Sequence, residues 1–372
     1  MSVVHLPLPT TLARPAGAAA PVGADSAPGD DAAPGSRGQL VDRFGRVHRD
    51  LRISLTDRCS LRCTYCMPEQ GVEWLAKSSI LTTDEIVRVA GVLATLGIVE
   101  VRLTGGEPLL RRDIVDVVRR VAEIEGVAGP LEVSMTTNGL KLPELADPLR
   151  EAGLARVNVS IDTLRRDRFA ELTRRDRLDD VLSGIRAARR AGFSPLKLNA
   201  VPMRGVNDDE IVDLVQFAVD NGAQMRFIEQ MPLDAGHTWS RSEMVDAGEI
   251  LDKLTQRFTL TPVGERGSSP SQDYLVDGGP TTVGLIASVS APFCGACDRV
   301  RLTADGQVRN CLFAREESDL LPLLRGTDGH TPADDDAIAE LLRRSIAGKR
   351  AGHGIDDPGF LQPQRPMSAI GG

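Results

Sequence analysis

The chain has 372 residues, of which 41% are hydrophobic, 26% charged and only 3% aromatic, with a formal charge of −8 and a pI near 5.3. That length suits one large domain with an appendage or two ordinary domains, with aliphatic side chains filling the core. An acidic surface repels nucleic acid, and no apolar run approaches the roughly 20 residues that span a bilayer, so neither a nucleic-acid nor a membrane partner is expected and a cytoplasmic location is the default.

Residues 1–38 are rich in Ala, Pro and Gly, with no lysine and no charged start followed by an apolar core, and read as a disordered leader rather than a secretory signal. From Leu51 to about Met231 short apolar runs alternate with longer amphipathic stretches. Strands are expected over 51–56, 99–104, 131–137, 155–161, 196–201 and 224–230, and helices over 84–96, 111–123, 178–191 and 208–220. Thr82 or Thr83 can cap the first helix and Gly97 end it; Asn207 can cap the last, with Gly222 following.

This alternation predicts a parallel sheet in an α/β fold. Six units without a dinucleotide-binding glycine fingerprint fit a partial (β/α)6 TIM-like barrel as well as an open sheet. Chemistry in either fold gathers at the carboxyl ends of the strands. There the sequence places Thr56, Thr104, Thr136 to Gly139, Ser160 with Asp162, Lys197 with Asn199, and Glu229 to Met231. Arg52, Arg102 and Lys197 lie in strands whose inward faces are expected to be otherwise apolar, and buried charges are normally paired or ligand-bound.

Beyond Trp239 the rhythm changes. A helix is expected over 241–257, strand and turn material over 258–312 with Asp277-Gly278-Gly279 and Asp305-Gly306 as hairpin signals, and one more helix over 334–347 before a tail ending in Gly371-Gly372. The expected division is 1–38 leader, 39–240 barrel, 241–330 a smaller C-terminal module of hairpins, and 331–372 a helix with a flexible tail.

All six cysteines fall in two triplets, which in a chain without a secretion signal points to metal and a reducing compartment. Cys59, Cys63 and Cys66 have C-x3-C-x2-C spacing in the loop after the first strand; Cys294, Cys297 and Cys311 have C-x2-C-x13-C spacing among the hairpins. Three thiolates leave one iron of a four-iron cube open, whereas a structural zinc site normally takes four protein ligands. Arg299 and Arg301 lie on one face of an extended run, because side chains alternate with period two. Two guanidiniums beside an open cluster make a receptor for a polyanion. A structural zinc protein stays open as an alternative.

The first triplet with Tyr65, followed by Thr104-Gly105-Gly106-Glu107-Pro108, resembles the radical S-adenosylmethionine (SAM) superfamily. Together with Cys294-Gly-Ala-Cys297-Asp-Arg-Val-Arg301, Cys311 and the terminal Gly-Gly, the match from about residue 40 to 312 resembles the GTP 3',8-cyclases of molybdenum cofactor biosynthesis. The resemblance favours the partial barrel and implies two [4Fe-4S] clusters, one on each triplet, the second binding the purine. It implies that SAM, cleaved at the first cluster, abstracts hydrogen from C3' of GTP, whose ribose then attacks C8. It also implies SAM contacts from Tyr65, Gly106, Ser160 and Met231, and GTP contacts from Arg52, Arg102, Thr137, Lys197, Arg299, Val300 and Arg301. Arg299, Arg301, Gly371 and Gly372 would serve catalysis, the tail by reaching into the site. Implied partners are an electron donor, a downstream cyclic pyranopterin-forming protein and a second copy of the chain. Some relatives carry a basic residue where this chain has Glu100. Another twin-cluster radical SAM enzyme acting on a peptide is the competing reading.

Overall fold

The computed structural model describes residues 38–326 and 331–371, so the leader up to residue 37 and Gly372 lie outside the described residues. The six expected strands form as β1 (Asp50–Ser54), β2 (Glu100–Thr104), β3 (Glu132–Thr137), β4 (Arg156–Ser160), β5 (Lys197–Ala200) and β6 (Gln224–Ile228), each parallel to the next. Between them run α1 (Thr83–Thr95), α2 (Ile114–Ala122), α3 (Leu142–Glu151), α4 (Arg166–Thr173), α5 (Leu178–Arg190) and α6 (Ile211–Asp220). Thr82 caps α1 in a reciprocal box with Glu85, as its sequence signals.

Asn207 does not cap a helix. Its amide oxygen accepts from Met203 N at 2.7 Å and its nitrogen donates to Asp162 O and Val201 O, so it ties three loops together. The sequence hides α3 behind Pro143 and Pro148, and α4 behind its charge. The expected helix over 241–257 shrinks to α7 (Ala247–Thr255), because Asp246 and Glu249 form a capping box that fixes its start.

The strands after α7 are β7 (Leu260–Pro262), β8 (Gln272–Val276), β9 (Thr282–Ile286), β10 (Arg299–Leu302), β11 (Gln307–Arg309) and β12 (Ser318–Asp319). Helices α8 (Leu321–Arg325), α9 (Asp335–Ala347) and α10 (Met367–Ile370) complete the chain. Both expected turns form: Gly278 and Gly279 take positive φ between β8 and β9, as Gly306 does between β10 and β11.

All twelve of these strands share one sheet, in the order β12-β11-β10-β1-β2-β3-β4-β5-β6-β9-β8-β7. β10 pairs in parallel with β1, and β9 with β6, so the C-terminal strands extend the expected six to eight parallel strands and saturate both edges. Laid flat, eight strands would span roughly 34 Å. Yet Arg301 of β10, Asn158 of β4 and Ile286 of β9 line the same cavity, which requires the sheet to curl around it as a partial barrel.

Leu51, Ile53, Val101, Leu103, Val133 and Met135 face away from the cavity and are buried in the main core. The alternate residues face inward and are polar in every one of the six strands: Arg52, Arg102, Ser134, Asn158, Asn199 and Arg226. The expectation of an otherwise apolar inward face is thereby corrected. The helices cover only the outer face, so only that face needs a continuous apolar surface.

Candidate active site

A cavity of about 310 Å³ runs along the inner face of the sheet, and all six cysteines line it: the first triplet follows the carboxyl end of β1, whereas Cys297 precedes β10 at the amino end, where Arg299 stands in register with Asp50. The first triplet sits on the loop after β1, braced by the loop after β2. Gly106 N donates to Thr56 O at 2.7 Å, and a Cβ on Gly106 would lie 2.3 Å from Arg58 O. Only glycine permits that approach. The buried Glu107 carboxylate accepts from Thr137 Oγ1 at 2.6 Å and Asn138 N at 2.7 Å, and Asn138 Nδ2 in turn reaches Cys59 Sγ at 3.9 Å. Tyr65 donates its hydroxyl to Asp162 Oδ2 at 2.8 Å, fastening the cysteine loop to the end of β4. Burial pushes the Asp162 carboxyl up to about 6.

Burial also raises the Cys63 thiol and pushes the Cys66 thiol up to about 12. Such thiols become thiolates on binding metal. The second triplet is poised differently. Burial again raises Cys297, but the charges of Arg299 and Lys349 outweigh it and hold this thiol at about 7. Its sulfur accepts from Arg299 Nε at 3.4 Å, Arg299 Nη2 at 3.3 Å and Lys349 Nζ at 3.5 Å.

No cysteine is in a disulfide, and donors crowd Cys59 and Cys297, an environment that fits an anionic metal–thiolate group on each triplet. Among the described residues no three His, Cys, Asp or Glu side chains converge as closely as they would around one ion.

Arg52, Arg102, Arg299 and Arg301 also line the cavity, on adjacent strands: Arg52 lies in register with both Arg102 and Arg301. Burial and the neighbouring guanidiniums hold Arg52 well below the usual arginine range. Asp50 is the carboxylate nearest Arg52, at 3.6 Å, and Arg52 Nε is buried without a hydrogen-bond partner. So much positive charge against one carboxylate is an anion receptor.

Tyr65, Gly106, Ser160, Met231 and Thr137 line the cavity as well. Three expected contacts do not. Val300 points its side chain into the core, on the opposite face from its arginine neighbours. Lys197 stands at the start of β5, away from the strand ends, where burial and then Arg226 lower its ammonium to about 8. Gly371 is packed against Ser54 and Thr104 outside the lining, though its carbonyl accepts from Arg301 Nη1 at 2.5 Å; Gly372 lies outside the described residues. Glu100 pairs with Arg156 at 2.6 Å, so the acidic residue is neutralised within the sheet.

Four arginine and lysine residues of the cavity escape the sequence reading: Arg46, Arg226, Lys349 and Arg350. Arg226 shares the inward alternation of Arg52 and Arg102, which is the signal that could have found it; Gly284 opposite gives it room, since a Cβ there would lie 3.1 Å from its Cγ. Lys349, just past α9, has no such signal, because only tertiary folding brings it to the cavity.

The profile of the Radical SAM superfamily matches residues 53–218, and that of Molybdenum Cofactor Synthesis C residues 223–355. The GTP 3',8-cyclase of Streptomyces coelicolor is 59% identical over 336 residues, covering 90% of this chain and 96% of that protein. The GTP 3',8-cyclase 2 of Mycobacterium tuberculosis is 52% identical over 341 residues, covering 90% and 92%. Among solved structures, Streptococcus suis SuiB bound to precursor peptide SuiA aligns with a TM-score of 0.55 at 15% identity, over 85% of this chain and 68% of that one. SuiB bound to S-adenosylmethionine gives 0.52 at 14%, over 85% and 69%. These structures share the fold alone. On the strength of the two cyclases, matched along nearly their whole length, the chain belongs to the GTP 3',8-cyclase family of the radical SAM superfamily.

Proposed function

We propose that this chain converts GTP to 3',8-cyclo-7,8-dihydro-GTP, a carbon–carbon bond-forming lyase reaction that opens molybdenum cofactor biosynthesis. The observation that carries the reading is that two cysteine triplets and seven arginines, Arg52, Arg102, Arg299 and Arg301 among them, line one cavity. Cys59, Cys63 and Cys66 would hold one [4Fe-4S] cluster, and Cys294, Cys297 and Cys311 a second. When bound, the first supplies the electron that turns SAM into a hydrogen-abstracting reagent.

The chain's own residues bind and orient. Tyr65, Gly106, Ser160 and Met231 would contact SAM beside the first triplet. Arg52, Arg102, Arg299 and Arg301 would take the triphosphate in charge-assisted pairs, with Thr137 at the mouth and Arg226 adding a further guanidinium. Lys197 and the Val300 backbone would act from the margin of the site. The tail would position Arg301 through the Gly371 carbonyl, with Gly372 beyond it. The setting implied is a cytoplasmic homodimer, served by an electron donor and passing its product to a downstream cyclic pyranopterin-forming protein.

GTP loses a hydrogen atom from C3' and later regains an electron and a proton, so the product has the mass of GTP. Anaerobically reconstituted protein given SAM, dithionite and GTP is expected to yield a GTP isomer with altered chromatographic mobility. Cleavage of SAM with all GTP recovered unchanged would overturn the proposal.

A further inference from the structure

Lys349 is buried, with 2% of its surface exposed. It follows α9, whose Ile338, Leu342 and Ile346 are embedded in the core, so a fixed element delivers the side chain. Its ammonium donates to Arg299 O at 2.9 Å, to Cys297 O at 3.2 Å and to Cys297 Sγ at 3.5 Å, which uses all three of its protons.

A buried ammonium normally sits against a carboxylate, because desolvating an uncompensated charge is expensive. Among the described residues no carboxylate pairs with Lys349; the negative charges that favour its charged state are the sulfurs of Cys297 and Cys311, while Arg299 opposes it. Arg299 is also turned to sulfur, with its guanidinium stacked 4.3 Å from the Phe293 ring. Two cations therefore converge on one thiolate. That excess of positive charge makes sense only if the cysteines carry an anionic group.

We propose that Lys349 is the counter-charge of the second cysteine triplet, a positioning residue that holds the Cys297 thiolate and sets how readily the group bound there takes up an electron. The inference rests on the reading that Cys294, Cys297 and Cys311 hold an iron–sulfur cluster. A fixed positive charge and N–H donors at a ligand sulfur favour the more negative, reduced state.

The test compares the full-length wild type, Lys349→Gln and Lys349→Arg, reconstituted anaerobically, by iron analysis and redox titration followed by electron paramagnetic resonance. Gln keeps a donor for the two carbonyls but removes the charge; Arg keeps the charge. In Lys349→Gln the second cluster is expected to lose roughly tenfold in its reduction equilibrium, about 59 mV for one electron, with the first cluster unchanged and the Arg variant restoring the wild-type value. A wild-type potential in the Gln variant, or a shift that Arg fails to restore, would overturn the proposal. Loss of the second cluster from Gln but not from Arg supports it, and loss from both shows that Lys349 acts by shape and defeats it. Wild-type protein binding only about four irons would instead refute the second cluster itself, and so separates failure of that reading from failure of this one.

Discussion

Arg301 is asked to do two things at once. It is buried on the inward face of β10, where burial and then Arg299 lower its guanidinium to about 9, and its Nη1 holds the Gly371 carbonyl. A cation kept in such a place needs an anion, and Asp50 is shared among Arg52, Arg102, Arg299 and Arg301. Arg301→Ala is therefore expected to weaken GTP binding by about 3 kcal/mol, more than 100-fold, in anaerobic equilibrium dialysis, while SAM cleavage without GTP persists. Unchanged GTP affinity would remove Arg301 from the substrate site. The cysteines were legible in the sequence from their spacing and Arg299 with Arg301 from their alternation, whereas Arg52 and Arg102 rested on their charge within expected strands and on the resemblance. Val300 entered only through the resemblance, although period-two alternation puts its side chain on the opposite face from Arg299 and Arg301, in the core.

The segment from Leu40 to His48 folds back on itself, with His48 N donating to Leu40 O at 2.8 Å and Arg46 Nη1 reaching Cys294 O at 2.6 Å. It braces the second cysteine loop. His48 is fully buried, its Nε2 3.2 Å from Asp42 Oδ2 and its Nδ1 without a partner. Burial, and then the charge of Lys349, lower the ring from 6.5 to about 4. The unfolded chain therefore binds this proton first. The resulting stability, about 3 kcal/mol, is present above pH 6.5 and is lost as pH falls towards 4. Urea midpoints should fall between pH 7 and 5 more steeply for wild type than for His48→Gln; equal slopes would contradict this account. Little of this brace could be read from sequence, since its contacts to 294 and 350 join residues roughly 250 to 300 positions apart. The amphipathic helices were easier: α1, α5 and α9 carry their own periodicity, whereas α3 contains prolines and α4 is dominated by charge.

At the scale of the whole molecule, the parallel sheet brings the two triplets together. Cys66 and Cys294 are some 230 residues apart, yet β10 lies directly beside β1, so the late cysteines at the amino end of this strand pair share one cavity with the early ones past its carboxyl end. Strand periodicity predicted the six central strands but not this closure, because a strand's alternation does not name its partner. The account's central claim is that SAM bound at the first triplet reaches the ribose of GTP held by the arginines and the second triplet. GTP deuterated at C3', incubated anaerobically with the reconstituted protein, SAM and a reductant, tests it most directly. Deuterium is predicted in the 5'-deoxyadenosine released; 5'-deoxyadenosine formed without it would contradict the claim.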